Sequence, residues 1–216
     1  MRKGFHEELE DLKKSLLKMG SLVEETIYDS IRAIKEQDFE LADQVIKADD
    51  KIDEFELKLK EKSAKLIALQ QPVARDLRTI LVVSEIVTDL ERMGDYSCNI
   101  AYMLKERIKD QDLIKPLVDI PRMTDLAVDR LNKSLDAFVE QDAILAKEVA
   151  ESDEKIDELD EQIFRELITF MISDPESIEQ ASALIFISRF LERIGDHSTN
   201  ICEGVIYMIS GKRQVY

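Results

Sequence analysis

The sequence predicts an all-α protein made of two tandem three-helix bundles that arose by internal duplication. Three observations predict this fold. The 216-residue chain contains only six Gly and four Pro, so few residues would interrupt long helices. The segment LERMGDYSCNI at residues 90–100 returns as LERIGDHSTNI at residues 191–201, with eight of eleven letters unchanged. Apolar residues recur at alternating spacings of four and three, which is typical of helices packed in a bundle.

The first half contains three predicted helices joined by short turns. They cover residues 4–36, 38–70 and 72–108. Asp38 is the predicted N-cap of the second helix, because its short carboxylate can accept a hydrogen bond from a free backbone amide of the first turn. Pro72 is placed in the first turn of the third helix, where its missing amide proton is not needed.

An apolar seam marks the core-facing side of the later helices. On the second helix the seam comprises Leu41, Val45, Ala48, Ile52, Phe55, Leu59, Leu66 and Leu69. On the third helix the seam includes Gly94, and its copy in the second half includes Gly195. A glycine inside a helix costs about 1 kcal/mol relative to alanine. We therefore expect both glycines to mark places where two helices approach closely.

A linker separates the two halves. The segment DQDLIKPLVDIP breaks the helical pattern with two prolines, so we assign the linker to residues 111–120. Residues 1–110 then form the first bundle and residues 121–216 form the second.

The second half repeats the three-helix plan. The segment EQDFELADQVIKADDKIDEF at residues 36–55 returns as EQDAILAKEVAESDEKIDEL 104 residues later. Asp174 before Pro175 is the expected N-cap of the last helix. The helices of this half are predicted over residues 121–140, 142–172 and 175–210.

Acidic residues spaced four apart occur on the second and third helix of each half. Residues at this spacing are neighbours on one helix face. Because the two helices are consecutive and joined by a short turn, they are expected to be antiparallel neighbours with their acidic faces together. The eight acids are Asp49, Asp53, Glu91 and Asp95 in the first half, and Asp153, Asp157, Glu192 and Asp196 in the second.

These acids predict a metal site in each half. Like charges four residues apart destabilise a helix by roughly 0.2–0.5 kcal/mol per pair, and a multivalent cation would turn that repulsion into binding. Oxygen ligands suit magnesium, manganese, calcium and iron, and zinc also accepts carboxylates. The alternative is that the acids lie on a solvated face, neutralised by nearby basic residues. These are Arg92, Arg193, Lys51 and Lys155.

Composition excludes several classes of protein. The formal charge of −16 and the pI of about 4.6 argue against a nucleic-acid partner. The N-terminus is charged from the start and the apolar runs are short, so neither a signal peptide nor membrane insertion is expected. Cys98 and Cys202 lie within helical patterns, which fits a reducing cytoplasm without disulfides.

Nothing in the sequence points to catalysis. No glycine-rich phosphate loop, nucleophile elbow or Cys–His pairing is present. A ferritin-like di-iron site needs Glu-x-x-His motifs, and neither His6 nor His197 has a glutamate three residues earlier. The residues alone leave three functions open: a metal-binding regulator that acts through protein contacts, a carboxylate-bridged metalloenzyme, and a metal-free helical adapter.

The chain resembles the PhoU family of phosphate-signalling regulators. The resemblance extends over nearly the whole chain and both halves. It rests on QQPVARDLR (70–78), ADDKID (48–53), LERMGDYSCNI (90–100), SDEKID (152–157) and FLERIGDHSTNIC (190–202). One departure is that the position after the motif aspartate is often His in this family; His197 keeps it, whereas Tyr96 replaces it and would weaken the first site if this position holds metal.

The resemblance implies a function as well as a fold. It implies a cytoplasmic, non-catalytic negative regulator of the phosphate-starvation response, which connects a phosphate ABC transporter ATPase with a sensor histidine kinase. It also implies multinuclear transition-metal clusters of iron or zinc, with manganese or magnesium as alternatives, held by the eight acids named above.

The two halves differ at one patch of the last helix. Phe186 and Phe190 align with Glu85 and Asp89 of the first half. Exposed phenylalanines form an adhesive patch. We expect them to pack the two halves together or to join two chains as a homodimer.

Overall fold

The structure is a computed structural model that describes residues 2–109, 111–152 and 154–216. Over these residues the protein is helical and contains no β-strand, which confirms the all-α prediction. The helices are α1 (Arg2–Glu36), α2 (Phe39–Gln70), α3 (Ala74–Met103), α4 (Asp119–Glu140), α5 (Ala143–Ala150), α6 (Glu154–Ser173) and α7 (Ile178–Ser210). A π-helical turn, Leu104–Ile108, extends α3, and a 3-10 turn, Pro175–Ser177, precedes α7.

The turn between the first two helices of each half is the same. Gln37 and Gln141 both adopt left-handed backbone conformations, with φ of 53° and 55°. Asp38 then accepts a hydrogen bond from the Leu41 amide at 2.9 Å, as predicted, and Asp142 caps α5 in the same way. The duplication seen in the sequence is therefore repeated in local geometry.

Helices α3 and α7 lie antiparallel and join the two halves. Asp89 contacts His197, Val82 lies beside Gly204, and Arg78 lies beside Gly211. Around this pair, α1 and α2 pack on α3, while α4, α5 and α6 pack on α7. The buried side chains form one continuous hydrophobic core through both bundles.

The helix predicted over residues 142–172 is divided into α5 and α6. The prediction of one continuous helix is wrong, because Glu151 and Ser152 form a turn. The Ser152 hydroxyl donates to the Val149 carbonyl at 2.8 Å, a local bond that competes with the helical hydrogen bonds. Ala48 stands at this position in the first half and cannot make such a bond, and α2 is continuous there.

Two details of the predicted third helix and seam also differ. Helix α3 begins at Ala74 rather than at Pro72, because Gln71 takes a left-handed conformation that ends α2 and Val73 remains extended. Leu69, which was predicted on the seam of α2, is 78% exposed, whereas Ser63, which the predicted seam left out, is buried between Leu59 and Leu66. In the second half, Asp174 accepts from the Glu176 amide as a cap, but of the 3-10 turn Pro175–Ser177, and α7 begins three residues later than predicted, at Ile178.

Between residues 111 and 118 the chain forms no helix and crosses from one bundle to the other. Gln180 of α7 holds this crossing segment by donating to the Asp112 carbonyl at 3.1 Å. In the described part of the chain, no helix has the length and apolar character needed to cross a membrane.

Candidate metal centre

The first-half acids converge at the junction of α2 and α3. Gly94 sets the approach of the two helices: a Cβ on Gly94 would lie 2.8 Å from Ile52 Cδ1 and 3.2 Å from Asp49 Oδ1. Real Cβ atoms essentially never come within 3.0 Å of a neighbour, so a larger residue here would require Ile52 to shift. The close approach brings Asp49 of α2 against α3 at Gly94, the residue directly before Asp95.

The pKa values of three of these acids, Asp49, Asp53 and Glu91, are raised by burial and by the negative charge of their neighbours. Burial raises the pKa of Asp49 to about 6, and the negative charges of Asp95 and Asp53 add to the shift. Burial, followed by the charge of Asp95, also raises the pKa values of Asp53 and Glu91. All four predicted acids of this half therefore lie within electrostatic reach of one another.

Two oxygens of this cluster are buried without a hydrogen-bond partner. They are Asp49 Oδ1 and Glu91 Oε2. The nearby guanidinium of Arg92 donates to Asp95 Oδ2 at 2.9 Å, but its Nε lies 3.4 Å from Glu91 Oε2 without hydrogen-bond geometry. Buried carboxylate oxygens normally have a donor or a cation beside them, so this pair fits a positively charged ligand.

The second half repeats part of this arrangement. Glu192 Oε2 is buried without a hydrogen-bond partner, like Glu91 Oε2. Burial, followed by the charge of Asp196, raises the pKa of Glu192. Burial also raises the pKa of Asp196, a shift that the charge of Asp157 increases. Asp153, the eighth predicted acid, lies outside the described residues.

Sequence reasoning missed one charged residue of this second cluster. Arg130 of α4 is only 4% exposed, and its Nη2 donates to Thr199 Oγ1 at 2.6 Å. Its charge opposes the burial-driven rise in the pKa of Asp196. A signal was available, because Arg130 continues the seam of α4 from Met123 and Ala127 at spacings of four and three.

The clusters do not form a complete coordination shell in the described residues. No three side chains among the described His, Cys, Asp and Glu residues are arranged as ligands around one point. Asp53 and Asp157 are exposed at the edges of their clusters. The fit to a cation therefore rests on the unpartnered oxygens and on the mutual repulsion of the acids.

His197 and Tyr96 lie between the two halves. His197 Nδ1 is 2.8 Å from Asp89 Oδ1 of α3. At the matching position of the other half, Tyr96 stacks on Phe190 with ring centroids 5.8 Å apart. Position 197 is thus engaged with the opposite bundle through Nδ1.

Comparison with known proteins shows the family to which the chain is related. The family model of the PhoU domain matches residues 16–104 and again residues 120–205. The chain belongs to the PhoU family. Each match extends over one of the two halves, so the PhoU domain is present twice in tandem, as the duplication predicted.

Relatives of similar length carry the same family name. The chain is 42% identical over 215 residues to the phosphate-specific transport system accessory protein PhoU homolog of Clostridium acetobutylicum, covering 98% of this chain and 97% of that protein. It is 35% identical to the phosphate-specific transport system accessory protein PhoU of Escherichia coli, covering 96% of this chain and 86% of that one.

Solved PhoU structures share the fold. PhoU from Pseudomonas aeruginosa superposes with a TM-score of 0.91 at 38% identity, covering 96% of this chain and 100% of that chain. The phosphate transport system regulatory protein PhoU from Streptococcus pneumoniae gives a TM-score of 0.90 at 32% identity, covering 98% and 100%. The tandem helical architecture is therefore that of the PhoU family.

Proposed function

We propose that this PhoU-family protein is a cytoplasmic regulator of phosphate uptake. It acts as a negative regulator of the phosphate-starvation response through contacts with a phosphate ABC transporter ATPase and a sensor histidine kinase, without catalysis of its own. The proposal depends on one observation. Over nearly its whole length, the chain is 42% and 35% identical in sequence to two proteins named as accessory proteins of phosphate-specific transport.

Metal binding is the second part of the proposal. The eight acids named above hold multinuclear clusters of iron or zinc, with manganese or magnesium as alternatives. The support is the set of buried, unpartnered oxygens on Asp49, Glu91 and Glu192, together with the raised pKa values around them. A bound cation would supply positive charge to these carboxylates and would thereby hold α2 against α3 and α6 against α7.

The proposal is tested by replacing one acid in each cluster. We expect Asp95→Asn combined with Asp196→Asn to lower the metal content per chain, because each amide is a weaker ligand than a carboxylate, and to derepress phosphate-uptake genes. Metal content is measured by elemental analysis of protein purified without chelator, and expression by a reporter gene. Unchanged metal content in the double variant would contradict the ligand assignment.

A matched control uses acids of α2 and α6, the helices that pack against α3 and α7, whose side chains pair with a basic residue of their own helix. Glu54 is exposed and pairs with Lys58, and Glu161 pairs with Arg165. The variant Glu54→Gln with Glu161→Gln removes the same number of carboxylates. We expect it to leave metal content and gene expression unchanged.

A metal-free helical adapter is the second candidate function. The observation that favours it is that no three described side chains already form a ligand set. A pull-down of the transporter ATPase, performed with metal-loaded and with EDTA-treated protein, separates the two candidates. Equal capture in both states, together with no metal after loading, would support the adapter.

Association of two chains is included in the proposal as a homodimer. Its support is Phe186, which is 54% exposed beside the exposed Ile178 at the start of α7. Both side chains line a groove of about 860 Å³ together with Met103 of α3. Burial of such a patch against a second copy would remove apolar surface from water.

A further inference from the structure

The duplication allows the two acidic clusters to be compared position by position. Residues of α1 correspond to residues of α4 that lie 104 positions later in the sequence. Gln37 and Gln141, which both have a left-handed backbone conformation at the ends of these helices, establish this correspondence. It is also anchored by Ser30 and Ser134, each of which donates at 2.7 Å to the carbonyl three residues earlier. In this register, Arg130 stands where the first half has Thr26.

Arg130 places a permanent positive charge inside the second bundle. The side chain is nearly inaccessible to solvent and reaches α7 at Thr199, one turn after Asp196. Its charge also opposes the burial that raises the pKa of Cys202, one turn further along α7. The guanidinium therefore lies along the same stretch of α7 that carries the acids.

The first bundle has no such charge at the matching place. The Thr26 hydroxyl donates to the Leu22 carbonyl of its own helix at 2.7 Å. Cys98 replaces Thr199 and lies next to Asp49, whose charge adds to the burial that raises the pKa of the thiol. The largest causes of the raised pKa of Asp49 are burial and the negative charges of Asp95 and Asp53.

The other basic residues around the two clusters are exposed, and one of them, Arg92, has a counterpart in Arg193. Arg92 bonds Asp95 in the first half as Arg193 bonds Asp196 in the second, and both arginines are largely exposed. Asp160 pairs with Arg189 at 2.7 Å, and its counterpart Glu56 pairs with Lys60 at 2.6 Å. Arg130 is thus a buried charge of the second cluster that the first cluster does not have.

We propose that Arg130 is a built-in counter-charge of the second cluster, and that the first-half cluster is consequently the tighter metal site. This inference rests on the proposed metal-binding function. A fixed unit positive charge repels a divalent ion over several ångströms. It also neutralises part of the negative charge of the acids, which weakens their attraction for the ion. In the first bundle, the exposed guanidinium of Arg92 lies 3.4 Å from Glu91 Oε2, as Arg193 lies 3.6 Å from Glu192 Oε2 in the second. What the first bundle lacks is a buried cation at the place of Arg130, where Thr26 stands.

The test isolates each cluster and uses Mn²⁺ as the probe. Glu192→Gln with Asp196→Asn leaves the first cluster intact, and Glu91→Gln with Asp95→Asn leaves the second. Free Mn²⁺ is followed by electron paramagnetic resonance during titration of each metal-free protein. We expect the first cluster to bind Mn²⁺ with a Kd roughly tenfold lower than that of the second.

Substitutions of Arg130 in the protein with only the second cluster then test the cause. Arg130→Met keeps most of the side-chain volume and removes the charge, so the Kd for Mn²⁺ should fall roughly tenfold. Arg130→Lys keeps the charge and should leave the Kd unchanged. Arg122→Met is the control, because Arg122 is an exposed arginine on the same helix.

Each outcome decides between the proposals. Equal affinities of the two isolated clusters, or tighter binding by the second, would overturn the role of Arg130 while the metal function stands. Absence of Mn²⁺ binding by the unaltered protein would overturn the metal function and this inference with it. If Arg130→Met does not fold, as judged by thermal unfolding in EDTA, the comparison of the two isolated clusters decides alone.

Discussion

Asp49 has one buried carboxylate oxygen without a partner and a pKa raised to about 6 from the ordinary value of 3.8. Burial is the main cause and the neighbouring acids add to it. Because the folded protein binds this proton more tightly than the unfolded chain, the associated stability is fully present below about pH 3.8. It is lost as the pH rises through about 6.

The metal-free protein should therefore become more stable at pH 7 when Asp49 is replaced by Asn. We expect a gain of about 1 kcal/mol, less than the pKa shift alone would give, because Asp49 is partly exposed and solvent screens its charge. The gain should be much smaller near pH 4, close to the ordinary pKa of 3.8, and should vanish only at lower pH, where the carboxyl is protonated in both states. Urea unfolding in EDTA across this pH range measures it.

Asp50→Asn provides the control for this prediction, since Asp50 is exposed beside Asp49. It should change the free energy of unfolding by less than about 0.5 kcal/mol at either pH. A gain for Asp49→Asn that is larger at pH 4 than at pH 7 would contradict the assigned direction of the pKa shift.

At the scale of helices, the separation of α2 and α3 determines whether the acids can act together. Gly94 is buried at their contact, facing Ile52 and Asp49. A larger residue would push α2 outward and withdraw Asp49 from Glu91 and Asp95. The glycine is thus a requirement of the packing between the helices and, through it, of the acidic cluster.

Gly94→Ala should destabilise the protein by about 1–2 kcal/mol. Overpacking against Ile52 outweighs the gain of about 1 kcal/mol that alanine normally brings to a helix interior. Metal content of the first cluster should fall in parallel. Both are measured on the same preparations, by urea unfolding and by elemental analysis.

Gly4→Ala is the matched control, because a Cβ on Gly4 of α1 would meet nothing within 4 Å. It should leave the metal content unchanged and should not destabilise the protein. A neutral or stabilising effect of Gly94→Ala would mean that α2 yields easily and that the close approach is not needed.

At the scale of the whole molecule, the antiparallel pair α3 and α7 unites two bundles of different chemistry. One contact between them is the polar pair His197–Asp89, and the equivalent contact is the aromatic stack of Tyr96 on Phe190. The expectation that Phe190 packs the halves together is confirmed, whereas Phe186 remains exposed on the surface.

Phe190→Ala should lower the free energy of unfolding by about 1–3 kcal/mol, because it removes the aromatic contact between the bundles. Phe186→Ala, one turn away, should change it by less than about 0.5 kcal/mol. If the exposed patch joins two chains, Phe186→Ala should instead weaken self-association in sedimentation equilibrium. Equal losses of stability for the two variants would contradict this division of roles.

The sequence by itself determined the fold class, the duplication and most helix ends. These features depend on local chemistry: the seams have helical spacing, Asp38 and Asp174 can cap only a helix that follows them, and the repeated segments lie at nearly constant offsets. It also identified the acids, since residues four apart share a helix face wherever the helix lies. Of these, only Asp153 falls outside the described residues.

The tertiary structure decided what those acids face. Which residue of α4 reaches α7, and hence that Arg130 lies beside Asp196, depends on the rotation and spacing of helices far apart in sequence. The pairing of His197 with Asp89 and the close fit at Gly94 arise in the same way. Periodicity defines the faces of a helix, but side-chain packing between helices selects the partner of each face.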